Sequence, residues 1–336
     1  MSNALAINQF DEATRLLVDR YQRDFPLSPQ PFALIGDQLG LREADVIERL
    51  ARLREIGAVS RVGAVVRPNA AGASTLAAIA APPADIERIA GIVNSQRGVN
   101  HNYEREHEFN LWFVVTGRTG DDVHSAIDEI ERETGLDVLD LPLEQSYHID
   151  LGFPLFDAPS RNAPCIESRE VAGEADVRLL AAIESGLPLT PRPYAVIAGA
   201  IGEGEDAVID RLASMQARGI VKRFGVVVRH RAFGYDANAM AVWDVPDAAV
   251  DRVAARFVEA PQVTLCYRRP RRPPRWRYNL FTMVHGVARD NVLDVIGGLT
   301  ERARGQCDAS AVLFSRRCFK QRGATFVRRE AQHADA

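Results

Sequence analysis

The stretch Val99-Asn-His-Asn-Tyr-Glu-Arg105 carries an imidazole, a phenol and a guanidinium at residues 101, 103 and 105. Successive side chains of an extended strand point to opposite faces, so His101, Tyr103 and Arg105 share one face. Such a row could bind an anion and pass it a proton, because His and Tyr are candidate donors and Arg offers a planar fork to a carboxylate. Asn110-Leu-Trp-Phe113 follows closely enough to form the adjacent strand. Any half-exposed strand alternates in this way, so the pattern gains meaning only from the elements around it.

Those elements occur twice. Phe25-Pro-Leu-Ser-Pro-Gln-Pro-Phe32 resembles Leu187-Pro-Leu-Thr-Pro-Arg-Pro-Tyr194, and Val46-Ile-Glu-Arg-Leu50 resembles Val208-Ile-Asp-Arg-Leu212, both at an offset of 162. Gly57/Gly219, Arg61/Arg223, Gly63/Gly225, Arg67/Arg229 and Gly72/Gly234 continue the match, which marks a tandem duplication. Each copy opens with helical spacing, as in Leu16, Leu17 and Tyr21. A short helix starting at Pro31 follows, then a third helix from Val46 to Ile56, closed by Gly57. The period then changes, and residues 58–67 read as a hairpin, which would complete a winged helix-turn-helix. The rest of the first copy reads strand (75–81), helix (84–95), strand (99–103), strand (109–117), helix (121–134), strand (138–143). That βαββαβ order predicts an α+β, ferredoxin-like sandwich. The expected layout is winged helix-turn-helix 1 over 1–68, ferredoxin-like domain 1 over 69–156, a linker over 157–172, winged helix-turn-helix 2 over 173–230, ferredoxin-like domain 2 over 231–325 and a tail over 326–336. The two sheets are expected to pack as an internal pseudo-dimer.

Length and composition agree with two such units. The chain has 336 residues, 46% hydrophobic and 26% charged, with a mean hydropathy of -0.14. These values fit globular rather than disordered or membrane chains. No apolar run reaches the ~20 residues a bilayer span needs, and the first residues lack a basic region followed by an apolar one, so a cytoplasmic protein with no membrane partner is expected. Four cysteines without a CxxC pair argue against a zinc site or disulfide framework and for free, buried thiols. The net charge of -4 divides unevenly: residues 164–336 hold 26 basic against 20 acidic side chains, leaving the first 163 residues at -10. Only Lys222 and Lys320 are lysines, a bias that a GC-rich genome or a need for bidentate carboxylate binding would each produce.

A winged helix joined to a ferredoxin-like domain is the layout of Lrp/AsnC transcription regulators, so DNA binding must be weighed on charge. A helix entering the major groove should be basic. The third helix of copy one and its approach carry Arg42, Glu43, Asp45, Glu48 and Arg49, and those of copy two carry Glu203, Glu205, Asp206, Asp210 and Arg211. The acidic start of the second helix has the wrong sign for phosphates, so no DNA partner is expected.

The paired layout, the His-Asn-Tyr-Glu-Arg element with its Asn-Leu-Trp-Phe partner and the closing Tyr147-His-Ile-Asp-Leu-Gly-Phe153 resemble the siroheme decarboxylases of the NirD/NirL and AhbA/AhbB type, with both members fused in one chain. The resemblance spans roughly residues 10 to 325. It implies a non-oxidative carboxy-lyase that removes the acetate carboxyl groups on rings C and D of siroheme, giving didecarboxysiroheme on the route to heme d1 or, in other organisms, heme. No dedicated cofactor is implied, and the iron belongs to the substrate. A homodimer, or association with homologous NirG/NirH-type subunits, is implied as well. By the same resemblance His101 is the acid that protonates the carbon left by carbon dioxide, with Tyr103 as alternative donor or orienting partner. Arg105 binds an acetate or propionate, and Asn110 and Trp112 are candidate substrate contacts. Arg61 and Arg67 on the first wing, and Arg223 and Arg229 on the second, are candidates to reach a polycarboxylate at the domain junction; surface ion pairing is their alternative. An Lrp/AsnC-type transcription regulator that binds DNA or senses a tetrapyrrole is the competing reading.

Copy two departs from the pattern. Leu265 replaces His101, while Tyr267 and Arg269 are retained, so one imidazole site is expected per chain. A five-residue insertion then gives Arg268-Arg-Pro-Arg-Arg-Pro-Pro-Arg-Trp-Arg277, whose Arg268, Arg269 and Arg272 could close over a polycarboxylate or simply line a solvated loop. His148 is a candidate second proton donor or axial contact to the substrate iron. Its counterpart is expected to be Lys320, a further carboxylate contact.

Overall fold

The computed structural model describes residues 10–149, 152, 155 and 170–323. The expected tail, and all but residues 170–172 of the expected linker, lie outside them. In the first half α1 (Glu12–Arg20) starts where Asp11 accepts the amide of Thr14 at 2.8 Å. Helix α2 (Pro31–Leu39) begins on the predicted proline and stops at Gly40, whose φ of 67° is open to glycine at little cost. Helix α3 (Glu43–Glu55) has acidic residues in its first turn and Arg52 and Arg54 in its last, the order its dipole favours.

Residues 58–67 do not form the expected hairpin. They make one strand, β1 (Val59–Val66), which pairs antiparallel with its counterpart from the second half. No turn-forming cluster interrupts the stretch, and the chain gains more ladder bonds by staying extended. Gly63 lies opposite Gly225 at the centre of this ribbon. A Cβ on Gly225 would lie 2.3 Å from the carbonyl oxygen of Tyr21, so glycine is required where the segment after α1 crosses. The two wings are thereby zipped into one body, and a single apolar core runs from Leu17 and Phe32 to Tyr194 and Phe224.

The next elements follow the expected order: β2 (Ala73–Ile79), α4 (Ile86–Ser95), β3 (Val99–Arg105), β4 (Leu111–Gly117), α5 (Gly120–Thr134) and β5 (Leu139–Pro142). Strand β6 (Gln145–Ile149) then leaves for the other half. The second copy repeats this as α6 (Glu174–Ala182), α7 (Pro193–Ile201), α8 (Glu205–Ala217), β7 (Val221–Val228), β8 (Ala237–Asp244), α9 (Val250–Val258), β9 (Val263–Arg268), β10 (Leu280–Gly286), α10 (Arg289–Arg302) and β11 (Ala309–Gln321).

The pseudo-dimer is more intimate than two packed sheets. One nine-stranded sheet runs β5-β2-β4-β3-β11-β8-β10-β9-β6. Strand β11 pairs with β8 of its own half through Phe314 and with β3 of the first half from Ser315 onward. The first copy divides the same task, since β5 stays on β2 and β6 pairs with β9. Helices cover one face over separate cores around Phe113 and Trp243. The other faces meet in a shared core of Trp112, Leu141, Met240, Phe281 and Leu313. Among the described residues, Cys266 is a buried free thiol as expected, whereas Cys307 is partly exposed and Cys318 exposed, contrary to expectation; Cys165 lies outside the described residues.

Candidate functional site

Strand β3 positions the row read from the sequence. Toward the helices it sends Asn102, whose amide donates to Asn94 at 3.0 Å, and Glu104, which receives Arg317 at 2.5 Å. On the other face the rings of His101 and Tyr103 lie 6.3 Å apart and 19° from parallel. The Arg105 guanidinium stands 5.7 Å over the Tyr103 ring and donates to the Leu313 carbonyl at 3.1 Å.

The second half supplies a facing row. Ser315, Cys318 and Gln321 of β11 lie in register with Arg105, Tyr103 and His101. They recur every third residue because two bulges each insert an extra β11 residue. Arg231, in the short turn after β7, donates to the Ser315 hydroxyl at 3.3 Å. Arg61 arrives from β1, with a guanidinium nitrogen on the Ala64 carbonyl at 3.2 Å. Ser315, Cys318, Gln321 and Arg231 were not legible as site residues. A two-residue alternation carried through bulged β11 assigns the wrong residues to the site face.

Burial and the charge of Arg61 push the His101 imidazole down to about 4, so it is neutral at pH 7. Its Nδ1–H donates to the Asn100 side-chain oxygen at 3.0 Å, leaving Nε2 for another partner. Burial, with Cys318 adding, raises the Tyr103 phenol against the pull of Arg105 and Arg231, so it keeps its proton. Arg105, 7% exposed, is brought down to about 10 by burial and stays charged at neutral pH. Among the described residues no carboxylate stands within ion-pairing distance of Arg61, Arg105 or Arg231. This arrangement can hold a polyanion across three guanidiniums and offer it protons from an imidazole or a phenol.

The equivalent place in the second half lacks the imidazole. Arg269 stands 5.4 Å over Tyr267 and donates to Leu141 at 2.6 Å, repeating the first pair. Leu265, in register with Ile149, takes the place of the imidazole, however, and burial brings Arg269 down to about 10 against the pull of Tyr267 and Asp140, as it does Arg105. Arg223 is 7% exposed and donates inward to the carbonyls of Gln22 at 2.6 Å and Val226 at 3.2 Å.

The pattern of the AsnC-like ligand binding domain matches residues 71–148 and 232–320. That of the siroheme decarboxylase NirDL-like HTH domain matches 14–59 and 176–221. A siroheme decarboxylase NirDL subunit of Paracoccus denitrificans is 42% identical over 94% of this chain and 98% of its own. The chain belongs to the siroheme decarboxylase family. The NirD subunit of Pseudomonas aeruginosa is 47% identical over 43% of this chain and 97% of its own, so one relative corresponds to one half. The crystal structure of a siroheme decarboxylase NirDL matches with a TM-score of 0.68 at 25% identity, over 94% of both chains. The fused arrangement is shared with the Paracoccus denitrificans subunit and with that crystal structure.

The remaining candidates lie outside the cluster. Arg67 donates to the Gly219 carbonyl at 3.2 Å and to that of Glu170, and so latches the two winged domains together. The Arg229 amide binds the Ala58 carbonyl at 2.8 Å at the opposite end of the ribbon. Asn110 clamps Ala81 through both backbone groups, at 2.9 and 2.8 Å. Trp112 is 2% exposed in the shared core, its indole donating to Phe109. Registers of β6 and β11 make His148 and Lys320 counterparts, as expected. Neither joins the cluster: Lys320 binds the Asn94 carbonyl at 2.5 Å, and His148 lies in register with Cys266, whose side chain packs toward the helices.

Nor does the arginine-rich loop close over the cluster. Arg268 pairs with Glu144 and Asp247, and Arg271 and Arg277 pair with Asp244. Arg272 donates only to the adjacent Arg271 carbonyl and, through its backbone, bridges to Trp276. Trp276, 2% exposed, anchors the loop among His107, Phe109 and Trp112. The insertion thus stores its charge in local ion pairs and its indole in the core.

Proposed function

We propose that the chain is a siroheme decarboxylase that removes the acetate carboxyl groups on rings C and D to give didecarboxysiroheme, on the route to heme d1 or heme. The observation that carries this reading is the set of guanidiniums, Arg61, Arg105 and Arg231, around His101 and Tyr103, none of them ion-paired among the described residues. Sequestered cations are costly without a counter-charge, and a polycarboxylate provides several.

The electrostatics give His101 a way to act as an acid although it is neutral beforehand. Burial is the larger cause of the low His101 value and the Arg61 charge the smaller. Substrate carboxylates offset the Arg61 charge and pair with the imidazolium directly, and on this reading the two together let His101 take up a proton as the substrate binds. Breaking the bond between the acetate CH2 and its carboxylate releases carbon dioxide and leaves the bonding pair on the CH2 carbon, next to the pyrrole. His101 Nε2–H delivers its proton to that carbon, the product gains a methyl group and the imidazole returns to neutral. Tyr103, held protonated, is the alternative donor and orients the acetate. The reading needs no cofactor beyond the iron carried by the substrate.

A cytoplasmic protein fits the free thiols, and among the described residues no helix is long and apolar enough to cross a membrane. DNA has no place in this reading, because several arginines around the third helices are already paired, Arg42 with Asp45, Arg49 with Asp11 and Arg192 with Glu205, and the first turns of these helices are acidic. Association with homologous subunits follows relatives named as subunits, such as NirH of Paracoccus pantotrophus; mass photometry of a co-expressed mixture, with a heavier species expected, tests it. For the reaction, the purified protein is incubated anaerobically with siroheme and the product mass followed. Two successive losses of carbon dioxide are expected, and an unchanged mass would overturn the reading.

A further inference from the structure

Among the guanidiniums of the site, Arg231 has no equivalent in the first half. At the offset of 162 that aligns Gly72 with Gly234, its counterpart is Asn69. Asn69 is a turn residue, with φ of 60° and its side-chain oxygen accepting from the amide and hydroxyl of Ser74 at 2.9 and 2.8 Å. Turn formation therefore does not explain an arginine at this position in the second half. Arg231 instead donates to Ser315 of its own half, the β11 residue in register with Arg105, and its charge is felt by Tyr103 and Arg105 of the first half.

Its tether is slight. Arg105 is committed on both sides, over the Tyr103 ring and onto the Leu313 carbonyl, and Arg61 is held by Ala64. Arg231 makes a single donation among the described residues, to Ser315 at 3.3 Å, out of the five N–H groups a guanidinium carries. A cation so placed, part-buried next to the Arg105 charge and with no ion-paired carboxylate among the described residues, is costly without a counter-charge. The cost is recovered when an anion arrives.

We propose that Arg231 is a substrate-binding residue of the His101–Tyr103 site, contributed by the second half to the first, and that it grips one peripheral carboxylate of the tetrapyrrole while Ser315 positions it. The proposal rests on the decarboxylase reading of the site. It makes the second half a supplier of substrate affinity to the half that holds the imidazole.

The test replaces Arg231 by the residue that the first half carries. For Arg231→Asn, titration with iron-uroporphyrin III should give a Kd raised about tenfold, the weight of one charge-assisted carboxylate contact. With siroheme, KM should rise by a similar factor while kcat stays within about twofold, because the residue grips but does not transfer the proton. Arg231→Lys should recover part of the affinity, as a point charge without the fork. Ser315→Ala should shift Kd in the same direction by about threefold, with kcat retained. A thermal midpoint equal to that of the unaltered protein accompanies each measurement. An unchanged Kd for Arg231→Asn would overturn the proposal while leaving the decarboxylase reading intact. Unaltered protein that neither binds iron-uroporphyrin III nor turns over siroheme would overturn both.

Discussion

Tyr103 with Arg105, and Tyr267 with Arg269, occupy equivalent places on β3 and β9, each guanidinium over its ring and bonded to a leucine carbonyl of the other half. What surrounds them differs. The first pair has His101 beside it, Arg61 and Arg231 above it and no carboxylate within ion-pairing distance among the described residues. The second has Leu265 in place of the imidazole and an arginine (Arg223) turned inward to backbone carbonyls. Duplication thus kept the scaffold pair twice and left the proton donor and free cations at one copy. The tyrosine–arginine pair alone does not make a site; unsatisfied charge next to a titratable ring does.

Breaking this asymmetry at its centre should have the largest effect. His101→Ala is expected to lower kcat by roughly 100-fold or more, the weight of a general acid, while siroheme binding is largely retained. Leu265→Ala should leave kcat within about twofold, and equal losses from both would erase the distinction between the copies. Next in size, Arg61→Ala should weaken iron-uroporphyrin III binding about tenfold. Arg223→Ala should instead lower the thermal midpoint, because it strips donors from the Gln22 and Val226 carbonyls in the protein interior.

Protonation sharpens the comparison further. With the empty-site imidazole near 4, His101 is neutral at pH 7, and the substrate charge must raise its pKa before it can carry a proton. Calorimetry in buffers of different ionisation enthalpy should therefore show proton uptake when iron-uroporphyrin III binds at pH 7, and none for His101→Asn. Uptake that persists in that variant would move the acid role to another group. The sign for stability follows from the same shift. A histidine lowered in the folded state binds fewer protons than in the unfolded chain between pH 6.5 and about 4, so the folded protein loses stability as pH falls through that window. His101→Asn should flatten that part of the curve. The smallest effect is expected from Arg272→Ala, which should leave Kd and kcat unchanged, since its guanidinium meets only the neighbouring carbonyl.

Much of the architecture was readable because it rests on local signals. Pro31 and Gly40 bound α2, Pro193 and Gly202 bound α7, and period changes separate winged from ferredoxin-like parts. The row on β3 was readable for the same reason, because alternation holds within a regular strand. Reading failed where one segment's partner lay far away. Residues 58–67 form one strand instead of a hairpin because β7 completes their ladder. Lys320 seemed a site residue until the β11 bulges turned Cys318 and Gln321 to the site face. Trp112 and the arginine loop looked available for a ligand, yet one is consumed by the core between the halves and the other by Asp244 and Asp247.

The sequence by itself determined the duplication, the two-part unit, the single imidazole and the His101–Tyr103–Arg105 row, since each depends on residue type and spacing along one stretch of chain. Tertiary structure alone decided which cations join that row. Arg61 and Arg231 lie roughly 40 and 130 residues from it, and only the β1–β7 ribbon and the β3–β11 pairing bring them there. Whether a guanidinium binds substrate or supports the fold depends on whether carboxylates and carbonyls of distant segments have already claimed its donors. That competition is settled in three dimensions, because ion pairing and desolvation act over a few ångströms of space whatever the separation in sequence.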